Sequence, residues 1–124
     1  MAQSRYCKVY VNGAVRPEDL TLLLLGAFGG ERDTRLRHIR SPVVQIDVCR
    51  NDGRVSPGVA LGEHERFLHF PHCLDVDAPV DVPHADYVAA VAKLLQALWG
   101  AGLEAVAACD FEDDLPRHGG RPWG

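Results

Sequence analysis

Apolar and polar residues change period several times along the chain, and those changes mark out the elements. Between Tyr6 and Val11, Cys7, Val9 and Val11 share one parity while Tyr6, Lys8 and Tyr10 share the other, the period of a half-buried strand, and Asn12-Gly13 ends it. From Pro17 the period becomes helical: Leu20, Leu23, Leu24, Ala27 and Phe28 form one stripe, Leu22 and Leu25 lie off it, and Gly29-Gly30 is a stop. A short strand over Arg35–Arg40 is a further expectation, closed by the Ser41-Pro42 break. Alternation returns over Val43–Arg50, with Val44, Ile46 and Val48 inward, and again over Arg66–Val76, where Leu68, Phe70, Leu74 and Val76 share a parity. Pro71 inside that last run predicts a bulge or an edge position. Val88, Val91, Leu95 and Leu98, widened by Tyr87 and Leu94, predict an amphipathic helix that opens at Pro83 and stops at Gly100 and Gly102. Leu103–Cys109 is a final short apolar strand.

The order strand, helix, strand, strand, helix, strand predicts an α+β fold. Its expected form is the ferredoxin-like split β-α-β sandwich, a mainly antiparallel sheet with two helices on one face. The opposite face would then present Tyr6, Lys8, Tyr10, Gln45, Asp47, His69, Cys73 and Asp75. Residues 1–116 read as one domain and 117–124 as a flexible tail.

Composition narrows the setting. The chain has 124 residues, 47% of them apolar, which suits one ordinary domain. No apolar run is long enough to span a membrane, and the first residues show no secretory pattern, so a cytoplasmic location is expected. The formal net charge is -4, with basic residues prominent up to Arg40 and acids dominant after it. That asymmetry disfavours nucleic acid and anionic membrane as partners and favours a basic protein. Cys7, Cys49, Cys73 and Cys109 each sit in an apolar or alternating run, and none forms a Cys-x-x-Cys pair, so four free thiols are expected.

Candidate chemistry is sparse. His64, His69, His72 and Cys73 are close in sequence, yet His69 and His72 have opposite strand parity, so no three ligands converge and no metal is expected. No glycine loop for phosphate and no local nucleophile–base motif is present, so no catalytic residue and no cofactor is assigned. Tyr6 and Tyr10 on an open sheet face invite comparison with RNA-recognition modules, but Asp47 and Asp75 share that face where such modules carry bases. The most distinctive stretch is the acidic run Asp110-Phe111-Glu112-Asp113-Asp114. Four neighbouring carboxylates repel one another, which suits a surface that meets a basic partner.

Leu98-Trp99-Gly100-Ala101-Gly102, the run Val106–Pro116 and Arg66-Phe67-Leu68-His69-Phe70-Pro71 resemble small bacterial immunity proteins of polymorphic toxin systems. The resemblance implies a small acidic cytoplasmic protein that blocks a cognate toxin or effector domain without doing chemistry. The expected function is therefore a non-catalytic protein-binding module, with Asp110, Glu112, Asp113, Asp114, Tyr10, Asp47 and Asp75 as partner-binding residues. Two alternatives belong to other classes. One is a small enzyme or ligand-binding domain using Tyr10, His69 and Asp75 on the open sheet face. The other is a homodimer joined through sheet faces or edges.

Overall fold

The computed structural model describes residues 6–29, 31–32, 38–51 and 67–120, with backbone only at 31–32 and 118. His64, Arg66, most of the anticipated strand from Arg35 and the end of the anticipated tail, residues 121–124, lie outside them. The elements in chain order are β1 (Cys7–Asn12), α1 (Pro17–Phe28), β2 (Glu31–Arg32), β3 (His38–Arg40), β4 (Gln45–Arg50), β5 (His72–Asp77), α2 (His84–Gly100) and β6 (Glu104–Ala108). Five strands and the two-residue β2 make one open sheet in the order β2-β3-β4-β5-β1-β6, with every neighbouring pair antiparallel. Two helices pack against it, so the fold is α+β.

Register explains why the alternation works. Val9 lies opposite both Leu74 and Ala107, and Ile46 lies opposite both Val76 and Ile39, so one parity of β1, β3, β4, β5 and β6 builds one apolar face. That face joins Leu20 and Leu24 of α1 and Tyr87, Val91, Leu94, Leu95 and Leu98 of α2 in a single buried cluster. In α2 the buried stripe is centred nearer Tyr87 and Leu94 than the spacing predicts, and Val88 is only half-buried. In α1 the stripe takes in Thr21, which tolerates burial because its hydroxyl donates to the Pro17 carbonyl 2.9 Å away, while Leu22 points to solvent. Gly29 ends α1 in the left-handed region, its N–H reaching the Leu25 carbonyl at 2.7 Å.

The expectation for Arg66–Val76 needs correction. Residues 67–69 form a 3₁₀ turn, Pro71 lies in a bend, and β5 begins only at His72. Because β5 sits between β4 and β1, its backbone groups are needed on both sides, and a proline cannot be accommodated inside it. Pro71 therefore sits just ahead of the ladder, and its carbonyl accepts the Asn51 N–H at 2.9 Å. His69, expected on the open sheet face, lies in the 3₁₀ turn instead.

The edge strand β6 is covered by the chain that follows it. Residues Pro116–Gly119 form a 3₁₀ turn, and Gly119 and Gly120 pass so close that β-carbons there would sit 3.0 Å from the Ala107 carbonyl oxygen and 2.3 Å from that of Ala105. The Trp99 indole N–H also donates to the Ala105 carbonyl at 3.1 Å. A backbone acceptor on this edge is thus taken within the chain.

Candidate functional site

The acidic run begins where β6 ends. Phe111 within it and Leu115 just after it are buried, four residues apart, and pin a 3₁₀ turn over Glu112–Asp114. The Phe111 ring meets His84 and Tyr87 of α2 edge-on, each at a centroid distance of 5.6 Å. This contact draws the run toward the helix layer, under the N-terminus of α2, and away from the open sheet face. The Glu112 carboxylate turns back to accept the Cys109 N–H at 3.3 Å, while Asp110, Asp113 and Asp114 are exposed.

The run has company that sequence proximity does not reveal. Strands β5 and β6 both run antiparallel to β1, so they finish at the same end of the sheet, where α2 begins. Asp77 at the end of β5 and Asp81 in the loop are exposed at that end. Whereas Asp86 in the first turn of α2 faces a groove lined by Phe28, Ser41, Pro42 and Val43 on the β4 side, Asp77 and Asp81 share that end with Asp110, Glu112, Asp113 and Asp114 and make an acidic pole with them. The positive end of the α2 dipole offsets part of the repulsion among them.

The other predicted residues lie on the open sheet face. His38, Asp47, Asp75 and Lys8 form one row across four strands, with an imidazole at one end, an ammonium at the other and two carboxylates between. Directly opposed like charges destabilise a sheet, and each acid here has its own compensation. His38 Nδ1 lies 2.5 Å from an Asp47 carboxylate oxygen, and the Tyr6 hydroxyl donates to Asp75. Burial first, and then the hydrogen bond to the Asp75 carboxylate, push the Tyr6 hydroxyl far above its ordinary pKa, so Tyr6 acts as a neutral donor and not as a base. Tyr10 is half-buried, its ring 5.0 Å from that of Phe67 and 5.3 Å from the Lys8 ammonium.

The predicted residues thus divide between two surfaces. Asp110, Glu112, Asp113 and Asp114 share the pole, whereas Tyr10, Asp47 and Asp75 share the sheet face. Three strand spacings, about 14 Å, separate Asp47 from the end of β6 in the same row. Among the described residues no group of three or more His, Cys, Asp or Glu side chains is gathered to hold a metal, and no helix is long and apolar enough to cross a membrane.

A cleft of about 420 Å³ beside β6 escaped the sequence reading. Phe67, Phe70, Trp99, Leu103, Glu104 and Arg117 line it, with the Arg117 guanidinium 4.8 Å from the centre of a Trp99 ring. These residues come from distant segments that meet around β6. The chain has no significant match among protein-family models, curated proteins or solved structures.

Proposed function

We propose that this chain is a non-catalytic binding module of the immunity type, which docks a basic toxin or effector domain against the acidic pole. The observation that carries the reading is the construction of the pole: Phe111 and Leu115 anchor the turn in the core while Asp110, Asp113 and Asp114 face solvent. A solvated loop needs no such anchors, whereas a docking surface gains from carboxylates held in fixed relation before encounter. Asp47 and Asp75 are compensated inside the sheet face and would contribute little to steering. The same reading takes the fold as ferredoxin-like, with β1-α1-β4-β5-α2-β6 in the spatial order β4-β5-β1-β6 and the β2-β3 hairpin added beyond β4.

The test is to mix wild type and a Glu112→Gln/Asp113→Asn/Asp114→Asn variant with the product of the neighbouring gene and follow association at two ionic strengths. The variant should associate more slowly at low salt, and the difference should shrink as salt is added. Equal rates at both salts would remove the main support for the reading. A small-ligand reading is favoured by one observation, the cleft beside β6, whose size falls in the range of ligand pockets and whose wall combines aromatic rings with one acid and one cation. A thermal-shift screen of small anions and aromatic acids against wild type and Arg117→Ala separates it from the first.

A further inference from the structure

The four cysteines, expected from the sequence to be free thiols in separate strands, are brought together in pairs. Cys49 and Cys73 stand directly opposite each other on β4 and β5, with their sulfurs 2.9 Å apart. Cys7 and Cys109 are neighbours at the start of β1 and just past β6, one step beyond the Lys8–Ala108 ladder pair. All four are free thiols.

We propose that Cys49 and Cys73 form an oxidisable dithiol that exchanges with small organic disulfides to give a cross-strand bridge. Directly opposed residues of antiparallel strands have Cα atoms about 4.5–5.5 Å apart, inside the roughly 4.4–6.8 Å that a disulfide spans. The strands therefore need not shift; the sulfurs need only close from 2.9 Å to about 2.0 Å. What each sulfur gives up is weak: Cys49 Sγ donates to the Cys73 carbonyl at 3.3 Å and Cys73 Sγ to the Arg50 carbonyl at 3.8 Å. Cys49 is the more exposed of the two and is the one a reagent meets first.

The exchange runs in two balanced steps. Cys49, having lost its proton to solvent, attacks one sulfur of the small disulfide, a Cys49–sulfur bond forms, and the other half leaves as a thiolate. Cys73, likewise deprotonated, then attacks the Cys49 sulfur and expels the second half as a thiolate. Two electrons and two protons pass from the protein to the reagent, which ends as two thiols. The ionisable groups nearest the pair are the Asp75 carboxylate, 3.8 Å from Cys49 Sγ, the Tyr6 hydroxyl just before β1, and Tyr10, which stands opposite Cys73 on β1. Burial, Cys73 and Asp75 all hold the Cys49 thiol protonated, so exchange is expected to be slow at neutral pH and faster in mild alkali.

The full chain is incubated with glutathione disulfide at mildly alkaline pH, quenched in acid, alkylated and mapped by peptide mass. Wild type should lose two hydrogens as a peptide linking Cys49 to Cys73, with no lasting glutathione on either. Cys73→Ser, which lacks the second nucleophile, should stop with glutathione on Cys49, and Cys73→Ala should do the same. The proposal is overturned if wild type keeps glutathione on Cys49, if both positions are recovered fully alkylated, or if a Cys7–Cys109 bridge is the one that forms. The wild-type map decides the matter even if the variants fold poorly.

Discussion

The hydroxyl of Tyr87, fully buried on α2, donates to the Val76 carbonyl 3.2 Å away near the end of β5. One hydrogen bond thus ties the helix layer to the central strand, and the same ring supports Phe111 at the acidic pole. Tyr87→Phe keeps the ring and removes the donor, leaving the Val76 carbonyl short of a bond in a dry setting. We expect a loss of about 1–2 kcal/mol. Tyr87→Ala also opens a cavity and should cost about 3–5 kcal/mol. Urea unfolding checks both, and an unchanged midpoint for the phenylalanine variant would show that water satisfies the carbonyl.

Much of the sheet is legible in the sequence because alternation is local: Val44, Ile46 and Val48 are inward wherever β4 sits. The start of β5 is not legible, since Leu68 and Phe70 share the parity of Leu74 although a bend at Pro71 separates them. The pairing of Cys49 with Cys73, and the placing of Asp77 and Asp81 at the end of the sheet that carries the acidic run, depend on which strands become neighbours, and no local period encodes that. The anchors of the pole were within reach. Phe111 and Leu115 stand four apart in an acidic stretch, a spacing that signals one buried side.

Gly120 adopts a φ of 92°, where a side chain is strained, and a β-carbon there would meet the Ala105 carbonyl oxygen. Gly120→Ala must therefore lift the Pro116–Gly119 turn from β6. We expect a loss of about 1–3 kcal/mol and an uncovered edge that favours association between copies. A lower thermal midpoint together with a rising scattering signal checks this, and a variant as stable and monodisperse as wild type would refute it.

Asp19 closes the first turn of α1, where its carboxylate accepts the Arg16 backbone N–H at 3.2 Å and the Arg16 guanidinium at 3.3 Å. The guanidinium bond first, and then the backbone bond, hold its pKa below the ordinary carboxylate value. A depressed folded pKa means that this stabilisation is full above the unfolded value and is lost as pH falls through the folded one. Asp19→Ala should consequently be less stable than wild type at neutral pH, and the gap should close toward acid. The effect is small because the pair is exposed and solvent screens it. Unfolding midpoints measured across pH 2–7 test it, a gap independent of pH being the contrary result.

The acidic pole predicts how stability responds to salt. Asp77, Asp81, Asp110, Glu112, Asp113 and Asp114 gather at one end of the sheet. Their mutual repulsion acts on the folded chain more than on the unfolded one, in which Asp77 and Asp110 are far apart on average. Salt at about 0.15 M shortens the reach of that repulsion to roughly 8 Å, so wild type should gain thermal stability as salt rises from low levels. Replacing Asp113 and Asp114 by Asn removes two exposed charges and leaves Phe111 and Leu115 in place. That variant should be as stable as wild type or up to about 1 kcal/mol more stable, and its salt response should be flatter. Melts at low and physiological salt decide it. A variant less stable than wild type at both would mean that these carboxylates hold the turn together, and that the anchors alone do not.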